Sequence, residues 1–252
     1  MKRVLISLAA VAFMTAPAFA ADAPAPAVAQ VPAKQVPAKP EKTLKFLTPA
    51  QLAPQFLLPA PPAEGSPEAT AELDEVRTIV KTASAERHAQ AEWDGEHEDL
   101  SAFAALVPGL DPAKLPATKA LFDDVVNEED LGTKISKTYF ARKRPFQIDA
   151  SITVCKGEGG AKPTSYPSGH TTLGYTMAVV MSDLFPDKAP AIFARARDYS
   201  YSRLVCGVHF RSDLVAGQVL GTYMGKELLE NAAFRKELEA SRAELKAAGL
   251  TH

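Results

Sequence analysis

Two histidines, His170 and His209, each sit in a short run of residues suited to holding an anion. His209 is followed four positions later by Asp213. On a helix that spacing brings a carboxylate to one ring nitrogen, where it fixes the tautomer and leaves the other nitrogen unprotonated and nucleophilic. Arg203, just upstream, offers a planar fork that matches phosphate in a way lysine cannot. His170 closes the run Tyr166-Pro167-Ser168-Gly169-His170, directly ahead of a helical stripe from Leu173 to Leu184. Ser168 is a helix-capping residue, and Gly169 has no side chain to keep the backbone from an oxygen, so this terminus is built to attract oxyanions. A third run, Lys137 to Pro145, packs four cations into nine residues. Lys137 and Arg144 are two helical turns apart, which predicts both on one helix face, with Pro145 ending the helix and Arg144 at its rim. Arg142 and Lys143 read as surface or rim charges. Each run alone has an ordinary structural explanation: a cap, a structural hydrogen bond, a solvated charged face.

The elements that must position these residues are helical. Leu73, Val76, Ile79 and Val80 recur at three and four. So do Leu121 with Val125 and Val126; Leu173, Met177, Val180, Met181 and Leu184; and Leu214, Leu220, Met224 and Leu228. The alternating period of a strand is scarce, so the expectation is an all-α domain, a helical bundle over residues 70–252. Glycines at 217, 221 and 225 form a groove read as core packing rather than a dimerisation code. Upstream, 11 of the 20 prolines fall between Pro24 and Pro67. Proline removes donors and fixes φ, so residues 21–43 read as a Pro/Ala-rich tether. Residues 44–69 carry Phe46, Leu47, Leu52, Phe56, Leu57 and Leu58, and read as an extended arm packing on the domain or on a second subunit.

With 252 residues, 46% of them hydrophobic, the chain is too apolar to be disordered, and its two cysteines are too few for a disulfide scaffold. Lys2 and Arg3, an apolar run to Met14 and Ala18-Phe19-Ala20 have the layout of a secretory signal peptide cleaved near Ala20, which predicts a periplasmic protein. Losing residues 1–20 removes two bases and no acid, taking the net charge from −2 to −4. That balance gives no footprint for a nucleic-acid polymer. The apolar run is too short for a permanent anchor and no later stretch is long enough, so no membrane span is expected. In an oxidising compartment Cys155 and Cys206 are expected to form a disulfide. His88, His97 and His252 lack partners at ligand spacing. The acidic run Glu92, Asp94, Glu96, His97, Glu98 and Asp99 reads as a solvated turn rather than a divalent-ion site.

Together the three runs spell Lys-x6-Arg-Pro, Pro-Ser-Gly-His and Ser-Arg-x5-His-x3-Asp, separated by 21 and 31 residues. In this the chain resembles the class A bacterial non-specific acid phosphatases, within the superfamily of phosphatidic acid phosphatases and vanadium haloperoxidases. The resemblance covers roughly residues 44–248, and Phe56 to Pro62 and Ser202-Arg-Leu-Val-Cys-Gly-Val-His209 are similar to the secreted class. It implies a metal-independent acid phosphatase without a cofactor, acting on small phosphate monoesters, nucleotides and aryl phosphates among them, in a homo-oligomer. It further implies His209 as nucleophile, Asp213 as its orienter and His170 as general acid. Lys137, Arg144, Ser168, Gly169 and Arg203 would bind the phosphate. A vanadate-dependent haloperoxidase uses the same cradle, and a membrane lipid phosphatase is disfavoured by the missing spans. A non-catalytic phosphate-binding envelope protein is the reading from another class.

Overall fold

A computed structural model describes residues 42–251. The signal peptide, and the tether up to residue 41, lie outside the described residues. Among those residues there is no strand; the helices are α1 (Pro54–Leu57), α2 (Pro67–Thr82), α3 (Ala85–Glu96), α4 (Ser101–Ala104), α5 (Pro116–Phe140), α6 (Pro145–Ile148), α7 (Gly169–Leu184), α8 (Ala189–Val205), α9 (Arg211–Glu230) and α10 (Ala232–Ala247). None of them is long and apolar enough to cross a membrane.

The bundle is arranged around α7, the most apolar of the long helices. Every residue from Thr171 to Ala178 is buried, because α8, α9 and α5 pack on different sides of it. A helix buried all round needs apolar residues all round, which is why its stripe is broader than an amphipathic face. Gly217 and Gly221 let α9 approach: an added Cβ at Gly221 would stand 2.3 Å from the Thr172 carbonyl, and one at Gly217 2.8 Å from that of Ser168. The glycine groove is therefore core packing. That close approach sets the helix starts side by side, and the Ser168 amide donates to the Asp213 carbonyl at 3.0 Å.

The arm lies on this same body rather than projecting from it. Phe46, Leu47, Leu52 and Leu58 are buried in the main core, while Phe56 faces solvent. Buried Glu128 on α5 accepts the amides of Lys45, Phe46 and Leu47, and Asn231 donates to the Phe46 carbonyl at 2.9 Å. Three amides on one carboxylate satisfy a segment that has no sheet or helix to join. Cys155 and Cys206 are bonded, tying the long loop between α6 and α7 to the end of α8.

Candidate active site

The cationic run departs from the single helix its spacing suggests. Helix α5 stops at Phe140, and Ala141 takes a left-handed backbone (φ 48°) whose amide caps Lys137. Pro145 does not end that helix; it starts α6, with Arg144 as the cap residue. Proline suits the first position of a helix, where its missing donor costs nothing. Lys137 thus reaches the site from the last turn of α5 and Arg144 from the next element. They still converge: a Cβ on Gly169 would stand 3.3 Å from Lys137 Nζ, and Arg144 Nη1 lies 3.3 Å from His209 Nε2.

His209 precedes α9 instead of lying on it. Asp213, in the first turn of α9, reaches back to accept the Phe210 amide at 2.8 Å, and its Oδ2 stands 3.2 Å from His209 Nδ1. Ser165 donates to the same oxygen at 2.6 Å, and Arg142 to Oδ1 at 2.7 Å. A carboxylate taking these bonds is an acceptor only, so His209 carries its proton on Nδ1 and presents the Nε2 lone pair to the Arg144 guanidinium. Burial, then Arg144, Lys137 and Arg203, hold the imidazole well below its usual range. Burial pushes Asp213 up to about 6, against the opposing pull of Arg142 and the hydrogen bonds.

Arg142 is therefore no rim charge. Only 9% of its side chain is exposed, and it bridges Asp213 and Glu72 while stacking over the Phe210 ring, 4.1 Å from its centroid. Lys143, beside it, is an exposed charge paired with Glu64.

Ser168 caps α7 by accepting the Thr171 amide, and its oxygen also accepts the Thr171 hydroxyl at 3.1 Å. With both acceptor positions occupied, its own hydroxyl proton remains to be donated. Arg203 is almost wholly buried. One end of its fork pairs with Glu158 on the disulfide-anchored loop, whereas Nε and Nη1 have no partner. Buried guanidinium donors without partners are costly, and an oxyanion satisfies them.

His170 is held at both ring nitrogens. Nε2 lies 3.2 Å from the Gly95 carbonyl, which can only accept, and Nδ1 lies 3.0 Å from Glu98 Oε1. Burial and then Arg203 lower its affinity for a proton; Glu98 raises it. The acidic run that read as a solvated turn is one only in part: Glu96, Glu98 and Asp99 are exposed, but the run begins inside α3. Asp94 is fully buried, bonded to Arg195 and to the Ser202 hydroxyl, and Glu92 accepts the Lys156 amide at 3.0 Å. Sequence reasoning also passed over Glu129. Its place four and eight residues before Thr133 and Lys137 on α5 was the available signal. Glu129 accepts the Thr133 hydroxyl, and burial pushes its carboxyl up to about 8.

A groove of about 580 Å³ opens beside this constellation, lined by Glu98, Glu129, Lys134, Lys137, Lys162 and Gly169 among others. Among the described residues no group of three or more His, Cys, Asp or Glu side chains is placed to hold a metal ion. The arrangement can cradle a tetrahedral anion between cations, with an imidazole nitrogen on one side and a second imidazole whose partner, Glu98, lines the groove.

Comparison with known proteins agrees with that chemistry. A family model described as the PAP2 superfamily matches residues 125–235. The chain is 33% identical over 204 residues to an acid phosphatase of Zymomonas mobilis, covering 77% of this chain and 76% of the relative. A non-specific acid phosphatase of Salmonella typhimurium is 30% identical, covering 76% and 79%, and one of Providencia stuartii is 29% identical, covering 97% and 98%.

Proposed function

Given that the chain belongs to the PAP2 superfamily and is an acid phosphatase, a phosphoric monoester hydrolase, we propose that it works through a covalent phosphohistidine on His209. The observation that carries this reading is the 3.2 Å contact of His209 Nδ1 with the Asp213 carboxylate. With Nδ1–H committed to Asp213, the Nε2 lone pair is the nucleophile, and it points toward the cationic cradle.

In the first step His209 Nε2 attacks phosphorus, the bond from phosphorus to the ester oxygen breaks, and His170 Nδ1 gives its proton to the departing alkoxide. Asp213 stabilises the charge that grows on the imidazole. Lys137, Arg144, Arg203, the Ser168 hydroxyl and the Gly169 amide hold the three non-bridging oxygens, where transition-state charge is spread. In the second step His170 takes a proton from water, the water oxygen attacks phosphorus and the P–N bond breaks, releasing phosphate and restoring both histidines.

The cations of the cradle meet the charge of the phosphate without a metal. The polar groove suits varied hydroxylated or aryl leaving groups, which supports broad use of phosphate monoesters. Export to the periplasm is supported by the Cys155–Cys206 bridge, which persists in an oxidising compartment.

Rapid acid quench of enzyme turning over a substrate labelled in its phosphate tests the mechanism. Label is expected on His209 alone, and turnover is expected to be unchanged by a chelator. Label on another residue, or none while the enzyme is active, would refute the covalent step.

A further inference from the structure

We propose that the segment Asp94–Asp99 is the positioning device for the general acid, with Glu98 as the positioning residue that keeps the proton on His170 Nδ1 until the leaving group takes it. This rests on the assignment of His170 as general acid made above.

The segment grips the ring at both nitrogens. The Gly95 carbonyl takes Nε2 and the Glu98 carboxylate takes Nδ1. Since a carbonyl has no proton to give, Nε2 keeps its hydrogen throughout, and Nδ1 is the nitrogen that gains and loses one. The segment is itself pinned on either side of Glu98. Asp94 is locked to Arg195 and Ser202, the Tyr199 hydroxyl donates to the His97 carbonyl at 2.8 Å, and Asp99 accepts the Ser101 amide at 2.8 Å. A side chain at Gly95 would push on Arg203, because a Cβ would stand 2.9 Å from its Nη1.

Of the other charges facing His170, Arg203 opposes a proton and Glu158 favours one. Arg203 and Tyr199 face it from α8, Lys137 and Glu129 from α5, and His209 from ahead of α9; Glu158 comes from the disulfide-anchored loop. Of the two carboxylates that favour imidazolium, Glu158 is already committed to Arg203. Glu98 alone bonds the ring. Its side chain is 60% exposed and lines the groove, so an ester oxygen arriving there can displace it from Nδ1 and inherit the proton.

The test is the pH dependence of kcat/KM for Glu98→Gln, Glu98→Ala and Glu98→Asp, with p-nitrophenyl phosphate and an alkyl phosphate. In the Gln and Ala variants the alkaline limb is expected to fall by about one pH unit, the size of effect one adjacent carboxylate has on an imidazole. Above the limb the alkyl phosphate should lose about tenfold and the nitrophenyl ester much less. Glu98→Asp, which keeps the charge, should recover part of the shift. Label trapped on His209 should persist in all three. An unmoved limb in Glu98→Gln, or a loss equal for both esters at every pH, would overturn the proposal. His170→Asn separates the two assignments: a limb that survives in it does not belong to His170, which would remove the general-acid reading and this proposal with it.

Discussion

The two imidazoles of the site are held in opposite ways. His209 is buried, and its partner Asp213 is fully buried under four donors supplied by Arg142, Ser165, Phe210 and the ring itself. His170 keeps 13% of its side chain exposed, and its partner Glu98, which lines a groove, is mostly exposed with a single contact in the site. A nucleophile has one state to keep, so every lone pair of its orienter can be committed. A group that must deliver a proton and then collect another needs a partner that can let go.

The largest effect should come from breaking the committed side. Asp213→Asn replaces an acceptor by a group that can donate toward Nδ1, which favours the tautomer with the proton on Nε2 and so blocks the lone pair. A loss of about 10⁴ in kcat is expected, the size seen when the orienting carboxylate of a catalytic histidine is neutralised. It should be as large for a nitrophenyl ester as for an alkyl one, because the nucleophile serves both. A clear dependence on the leaving group would place Asp213 on the wrong side of the comparison. Circular dichroism on the same preparation checks that the bundle is intact.

The sequence makes the committed side legible and leaves most of the other side hidden. His209, Asp213, Arg203, Ser168 and Gly169 were readable because local geometry joins residues a few positions apart, and the helical periodicities mark the bundle that carries them. The course of the chain from Lys137 to Arg144 was not, because spacing counts turns without detecting that Ala141 leaves the helix. Arg142 was misread for a related reason: its value lies in Glu72 and Asp213, about 70 residues away in either direction. Glu98 and Asp94 were hidden in a run whose composition says solvent, while tertiary contacts with α7 and α8 give each acid a different partner. Composition describes a segment as a whole; burial acts on each side chain separately.

Arg142→Gln tests whether the second layer on the nucleophile's side carries weight. Arg142 is the strongest of the groups holding Asp213 down, with its burial pushing the other way to about 6. Without the guanidinium, Asp213 should protonate at higher pH. Because His209 needs the ionised form, the acid limb of kcat/KM should move upward. Removing one partner of a buried pair also costs about 3 to 5 kcal/mol of stability. Both readouts are needed. A lower Tm with an unmoved acid limb would make Arg142 a structural ion pair and nothing more.

The smallest effect on turnover should come from Glu129, on the side that exchanges protons, and its signature is a stability that depends on pH. Its folded-state carboxyl titrates at about 8, above the ordinary 4.5, with burial the main cause. A raised carboxyl means the folded protein binds its proton more tightly than the unfolded chain does. The folded state therefore loses stability as pH rises from about 4.5 to 8, and above that range it carries the full cost of a buried charge. Glu129→Gln has the shape of the protonated acid and cannot ionise. It should leave Tm nearly unchanged at pH 4 and raise the stability relative to wild type by a few kcal/mol, to order of magnitude, at pH 9. Lys137, one of the charges that favour ionised Glu129, is itself held below its ordinary range by burial and by Arg144. A Glu129→Gln protein equally stable relative to wild type at both pH values would mean that Glu129 is ionised already, paired with that lysine. The polar groove would then begin with an ion pair at the phosphate cradle instead of a neutral acid beside it.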